Sequence, residues 1–537
     1  MCGCGGKFKP IMGRYSKSNV AARAVARCIF ALFLAETAPG TNAAQVRPNH
    51  GTAVSWANAA QIIGRIVQPT FRDRRFNLAD FGAVGDGKTD CTRAFHDALA
   101  KCAESGGGSV IVTAGRYLTG PIHLKSNVKL HMTDGAEIVF KDDPEAYLPP
   151  VFVRVGGIEL YNYSPLIYAI NCTNIAITGP GRLNGNATNW WAWRNRETRD
   201  FRKMAAEGVP VEKRVFGTPD AAIRPSFVCL VNCTNVLLED FTIGSGPNWT
   251  IHPLYCENVT VRRLTVSTHG PNNDGLDVDS CSNVLIEHCL FDTGDDCIVL
   301  KSGYNEDGWR VGRPTENVVV RYCTFKRGHG GIVIGSEMSG GVSNVFAYDC
   351  QFDGTDRAIR IKSTRGRGGV VENIFASNLV ALNMKREVVI LNMDYAPGDS
   401  AGAPGKPPAY RNMQFENVIC TGAPVAIAIR GLPDSPIQHV RFANFTVAAT
   451  TGVVATHAAN LVFDRVQLTC TKGPMFELTD TSEITIRESH APPGTELFLK
   501  LNGSNSRHVR VESCNLDNAK NKVVTADGAS ATAVQFR

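Results

Sequence analysis

The sequence predicts an all-β chain wound as one parallel β-helix, a single domain with a capping helix near its N-terminal end and loop insertions between coils. Three observations carry this expectation. Short β-patterned runs recur at a period in the twenties. A polar residue, usually Asn, opens each run. The first runs are only three to five residues long, too short for a sandwich of ordinary hairpins.

The repeat is seen in Asn174-Ile175-Ala176-Ile177, Asn235-Val236-Leu237-Leu238, Asn258-Val259-Thr260-Val261 and Asn283-Val284-Leu285-Ile286, and it continues to Glu483-Ile484-Thr485-Ile486. Units start 23 residues apart at Asn235 and Asn258, 25 at Asn258 and Asn283, and 27 at Asn317 and Asn344. The step of 39 from Asn373 to Asn412 implies an inserted loop. A leucine-rich repeat shares this period but needs fixed Leu positions, and these are missing. In a β-helix each strand lies about 4.8 Å from its copy on the next coil. Aliphatic side chains then fill the interior. The Asn residues stack at a tight turn, where Asn bonds backbone and tolerates left-handed dihedrals. Cys172, Cys233, Cys256 and Cys281 each precede a repeated Asn by two residues, which points to an inward stack.

Taken in order, residues 1–44 have the pattern of an export signal. Arg14, Lys17, Arg23 and Arg27 flank the apolar run Ile29 to Ala35, and small residues follow at Ala43 and Ala44. Residues 45–75 are expected to be a linker. Residues 76–140 form the N-terminal cap and first coils. Here Asp90 is placed to cap a helix whose apolar stripe is Ala94, Phe95, Ala98, Leu99 and Cys102, ended by Gly106-Gly107-Gly108. Such a helix covers one end of a solenoid, which repeat folds need for solubility. Residues 141–520 are the β-helix proper, interrupted at about 142–227 by an insertion carrying Trp190, Trp191 and Trp193. Those rings could stack on sugar faces or fasten the insertion to the coil. Residues 521–537 are expected to be a tail.

Charge excludes some classes. The chain has 56 Lys and Arg against 50 Asp and Glu, but residues 1–44 hold six of the cations and one of the acids. What remains has a net charge of about +1, so nothing marks a nucleic-acid binder. No apolar stretch is long enough for a membrane span. Of 17 Cys, 14 follow residue 44, an even number compatible with either disulfides or buried stacked thiols. There is no zinc spacing, and no metal or cofactor is expected.

The chemistry-bearing stretch is Asn272-Asn273-Asp274-Gly275-Leu276-Asp277, followed 21 residues after Asp274 by Gly294-Asp295-Asp296. That step is close to one coil, so Asp274, Asp295 and Asp296 are expected on neighbouring coils. Asp295 and Asp296 can share a cleft only if they lie in a bend, since strand neighbours face opposite ways. Two carboxylates facing a glycosidic bond can hydrolyse it, one protonating the leaving oxygen and the other activating water. Clustered acids also push one of their number toward its protonated form. Later coils add His329 in Gly328-His329-Gly330-Gly331, then Arg360 and Lys362 on one strand face, then Tyr395. Two such cations suit a carboxylated sugar. Each piece alone has an ordinary structural reading. Their recurrence in register points to chemistry.

Four of these motifs, Asn272-Asn273-Asp274, Gly294-Asp295-Asp296, Gly328-His329-Gly330 and Arg360-Ile361-Lys362, resemble those of glycoside hydrolase family 28, the polygalacturonases, in order. The resemblance spans roughly residues 76 to 490. It departs at Asn273, where the family has Thr. It implies a right-handed parallel β-helix and hydrolysis with inversion. It also implies that Asp295 is the general acid, Asp274 and Asp296 hold the attacking water, and His329 tunes the acid. Asn272, Arg360, Lys362 and Tyr395 would bind galacturonate, with Lys301 a further candidate for its carboxylate. Asp277 matches no motif and is expected to be structural or to support the site without touching substrate.

The expected protein is thus an exported, periplasmic or extracellular, monomeric hydrolase of α-1,4-linked galacturonans. The insertion would close one end of the cleft and favour exo action. Three alternatives stand beside it: another pectic backbone such as rhamnogalacturonan or xylogalacturonan, a calcium-dependent pectate lyase, and a β-helix that only binds polysaccharide.

Overall fold

The computed structural model describes residues 54–395 and 405–537. The expected export signal at 1–44 lies outside the described residues. Nearly every described strand joins one 36-stranded parallel ladder, the architecture of a parallel β-helix. One column shows the winding. Val236, Val259, Val284, Val318, Val345, Ile374, Met413, Val440, Leu461, Ile484 and Val509 pair in succession, each with its copy on the next coil. All eleven are buried. The core is therefore a continuous stack rather than a globule.

The residue preceding each member of this column is held at positive φ. It is Asn in most coils, with φ from 54° to 58° between Asn174 and Asn412. Most of these Asn side chains donate to the one before, for example Asn235 to Asn174 at 3.0 Å, Asn258 to Asn235 at 3.1 Å and Asn373 to Asn344 at 2.9 Å. Asn suits this turn because it enters the left-handed region at low cost and carries both a donor and an acceptor. The cysteines resolve as thiols: all fourteen described are free, and twelve are buried. Cys256 and Cys281 donate to backbone carbonyls one coil back, at 3.1 and 3.2 Å.

The helix Thr92–Glu104 buries Ala94, Phe95, Ala98, Leu99 and Cys102, and Asp90 accepts from the Thr92 N–H at 3.0 Å. Two boundaries differ from expectation. Within 45–75, residues Ala57–Arg65 form a helix. It docks Ala59 and Ile62, with the following Ile66, on Leu285, Val319, Phe346 and Phe375, so this part is packed structure rather than linker. The expected tail supplies strands Asn521–Ala526 and Val534–Phe536, which pair with Leu497–Asn502 and Arg507–Glu512 and continue the last coils.

The insertion contains an antiparallel hairpin, Val151–Val155 with Ile158–Asn162, and the helix Asp200–Ala206. Buried ion pairs clamp it to the coils: Arg154 to Asp279 at 2.8 Å and Arg214 to Asp307 at 2.9 Å. Trp190 packs edge-on against Trp193 and Tyr163, and Trp193 lies tilted against Tyr163, all in the core. They fasten the insertion. Trp191 donates to the Gly246 carbonyl at 2.9 Å. Among the described residues no helix is long and apolar enough to cross a membrane.

Candidate active site

The strands Leu276–Asp279, Ile298–Lys301, Ile332–Ile334, Ile359–Lys362 and Glu387–Asn392 stack in parallel, with Leu276, Ile298, Ile332, Ile359 and Val389 in one column. One coil here is 22 residues, the step from Leu276 to Ile298. Asp274 therefore lies level with Asp296, and the Gly275 N–H donates to the Asp296 carbonyl at 2.9 Å. Asp295 stands one residue ahead, in a bend after the strand Leu290–Thr293. The bend lets Asp295 and Asp296 enter the same cleft. Carboxylate oxygens of Asp274, Asp295 and Asp296 all lie within 4.8 Å of one another.

The next coil brings His329. At Gly328, with φ 127°, a Cβ would come within 2.6 Å of the Asp295 carbonyl, so only glycine allows this approach. The His329 N–H then donates to that carbonyl at 3.1 Å, and its ring Nδ1 meets Asp295 Oδ1 at 2.9 Å. Arg360 Nη1 and Lys362 Nζ both reach Asp296, at 3.1 and 2.6 Å. Tyr395 lies beneath the two cations, its ring centre 5.3 Å from the Arg360 guanidinium and 5.2 Å from Lys362 Nζ. Lys301 pairs with Glu337 at 2.9 Å and lies 4.5 Å over the Trp249 ring. Asn272 approaches Asp295 Oδ2 at 3.5 Å and accepts from Arg224 at 2.9 Å. All nine residues singled out from the sequence line one cavity of about 630 Å³.

Three supporting residues, Arg224, Trp249 and Glu337, carry no sequence signal, and a fourth, Asn273, is visible there only as a departure from the motif. Arg224, buried at the end of the insertion, donates to the carbonyls of Pro247 and Pro271 and so fixes Asn272. Burial, helped by the charges of Arg194 and Arg199, pulls its guanidinium down to about 10. Trp249 and Glu337 surround Lys301. Asn273, the departure from the family pattern, is fully buried. It donates to the Gly246 and Asn248 carbonyls, both at 3.1 Å, and accepts from the Gly270 N–H at 2.8 Å. It thereby ties the loop carrying Asp274 to the coil before it. Asp277 is also buried, 3.8 Å from Lys301, and neither of its oxygens has a hydrogen-bond partner among the described residues.

The electrostatics separate the acids. Burial, and then the charge of Asp295, push Asp274 well above the usual carboxylate range. Burial acts on Asp295 in the same sense, but the bond from His329 and the charges of Lys362 and Lys301 outweigh it and hold this carboxyl at about 2. His329 rises in turn, chiefly through its bond to Asp295. These directions favour the protonated form of Asp274 and of His329, beside an ionised Asp295.

The model of glycosyl hydrolases family 28 matches residues 102–470. The chain belongs to this family. It is a glycoside hydrolase, and the cavity lies within the matched span. It is 30% identical over 382 residues to a probable polygalacturonase of Vitis vinifera, covering 69% of this chain and 74% of the relative. It is 28% identical over 418 residues to an exo-poly-alpha-D-galacturonosidase of Dickeya chrysanthemi, covering 72% and 69%. Among solved structures, a hyperthermoactive exopolygalacturonase from Thermotoga maritima superposes with a TM-score of 0.72 at 42% identity, covering 75% of this chain and 93% of that one.

Proposed function

We propose that the protein hydrolyses the α-1,4 bonds of polygalacturonate from a chain end, by a single displacement with inversion. The observation that carries this reading is the carboxylate trio, ringed by Arg360, Lys362 and His329, at the end of a cleft that the insertion closes. Val155, Gly156 and Phe201 of the insertion line the same cavity as the acids. An endo-acting enzyme needs a cleft open at both ends, and this one has a wall. Homologues named for exo action support the same reading.

In this mechanism Asp295 protonates the leaving oxygen, while Asp274 and Asp296 hold and activate the water. Asp295 must first gain a proton. A galacturonate carboxylate entering beside Lys362 and Arg360 adds negative charge next to Asp295 and weakens the field that keeps it ionised. His329, 2.9 Å away, is the adjacent proton source. Asp274 must be ionised to act as a base; protonation of Asp295 removes a charge that raises it, and the proton of Asp274 passes to solvent. Arg360 and Lys362 neutralise Asp296, so the trio has its counter-charge without a metal ion. A lyase reading would instead need calcium and a free base, and Arg360 is bound to Asp296. The enzyme acts outside the cytoplasm, where its polymer is found, and works as a monomer.

The test is the product profile on polygalacturonate in the presence of a chelator. One short product, mono- or digalacturonate, is expected from the earliest times, with no unsaturated ultraviolet-absorbing species. Early mid-length oligomers would overturn exo action, and a chelator-sensitive unsaturated product would establish a lyase.

A further inference from the structure

The cations named by the sequence motifs are already engaged. Arg360 and Lys362 hold Asp296, and Lys301 holds Glu337. A second cationic group lines the same cavity, outside every motif. Arg202 comes from the insertion's helix Asp200–Ala206, and Arg367 from the loop after the strand Ile359–Lys362. Both guanidinium groups lie over the ring of Tyr304, at 4.7 and 3.8 Å from its centre. Neither forms an ion pair with a carboxylate among the described residues. The Nε of each is buried without a hydrogen-bond partner among them, and Arg367 is only 4% exposed. Its one side-chain bond runs from Nη1 to Asn305 Oδ1 at 2.9 Å.

A buried guanidinium, Arg367, and a half-buried one, Arg202, packed on one ring repel each other; Glu337 feels the charge of Arg367 but is already paired with Lys301, so a further anion would complete the group. The position is the closed end. The hairpin turn at Gly156-Gly157 packs there so tightly that a Cβ on Gly157 would fall 2.8 Å from Tyr304 Cβ and 3.0 Å from Glu337 Cγ. The Tyr304 N–H donates to the Gly157 carbonyl at 3.0 Å. Tyr304 is thus fixed from behind by the wall. It holds the two guanidinium planes by stacking, which leaves their N–H edges to point elsewhere.

We propose that Arg202 and Arg367, stacked on Tyr304, bind the carboxylate of the terminal galacturonate unit lodged at the closed end, and so make the enzyme select an acidic chain end. This inference rests on the exo reading above. It assigns a specificity role to residues of the insertion, which no motif of the reaction centre includes.

The test compares two trigalacturonates, one fully acidic and one methyl-esterified only on its non-reducing terminal unit. Wild type is expected to cleave the acidic substrate with a kcat/KM about tenfold or more above the ester, the size of one charge-assisted contact. In Arg202→Gln and in Arg367→Gln this ratio falls toward unity, chiefly through the acidic substrate's KM, while Arg202→Lys retains part of it. Because the readout is a ratio within one protein, partial unfolding of a variant does not mimic the effect. Equal rates on both substrates in wild type, or an unchanged ratio in both Gln variants, overturn the inference while leaving exo hydrolysis intact. A wild type that releases nothing from either trimer overturns the reading of function itself, and the inference with it.

Discussion

Two faces of one solenoid are built by opposite rules. Away from the cleft, like stacks on like: Asn258 on Asn235, Asn373 on Asn344, and Phe346 on Phe375 at 5.0 Å between ring centres. On the cleft face the group changes along the stack: aspartates from two coils, Asp274 and then Asp295 and Asp296, next His329, then Arg360 and Lys362, then Tyr395. Both faces use the same strand spacing. A repeated side chain adds one more copy of a contact that stabilises the coil. A non-repeated one in register adds a new chemical function at a distance fixed by the ladder. Repetition marks scaffold, and its interruption marks the site.

The contrast can be broken or sharpened by substitution. Asp295→Asn is expected to lower kcat by about a hundred- to ten-thousand-fold, the contribution of a general acid, with the melting temperature nearly unchanged because the bend is part-exposed. An active variant, or an unfolded one, would erase the distinction between the faces. Asn258→Ala should do the reverse. At φ 56° alanine enters the left-handed region and the ladder loses the bond to Asn235, together about 2–3 kcal/mol of stability, with kcat unchanged. Asn258→Gly should recover the backbone part, as read by chemical denaturation.

The smallest effect concerns Asp277, which belongs to neither rule. Burial raises its carboxyl well above 3.8, the ordinary value. A raised acid favours the folded state while protonated. That contribution is complete below the unfolded value and is lost as pH rises through the folded one. Asp277→Asn, neutral throughout, should therefore melt a few degrees above wild type at about pH 8 and together with it at about pH 4. A variant that melts lower at alkaline pH would show instead that ionised Asp277 stabilises Lys301.

What could be read from the sequence follows from which interactions are local. The Asn turn is forced by its own backbone conformation, so a period of Asn before aliphatics is visible without a structure. The helix at Thr92–Glu104 carries its own stripe and cap. The acids, His329, Arg360 and Lys362 stand out because their motifs are contiguous. The docked helix Ala57–Arg65 did not stand out, since it is short and its partners Leu285, Val319 and Phe346 lie more than two hundred residues away. Arg224, Arg202 and Arg367 were invisible for the same reason: an arginine's role depends on a carbonyl, ring or carboxylate brought to it by another coil. The Trp cluster allowed two readings, and burial of Trp190 and Trp193 settled that they pack. The motif cations suit a substrate carboxylate, yet in the folded chain they first hold Asp296.

The central claim is that three carboxylates within 4.8 Å divide into one acid and a water-holding pair. Separation alone argues otherwise, since carboxyl groups about 5 Å apart usually mark a nucleophile and a retaining reaction. The direct measurement is proton NMR of the first sugar released from polygalacturonate, recorded before mutarotation. The β-anomer is expected, because water held by Asp274 and Asp296 attacks opposite the leaving group. The α-anomer would contradict the account and make one of those two residues a covalent nucleophile.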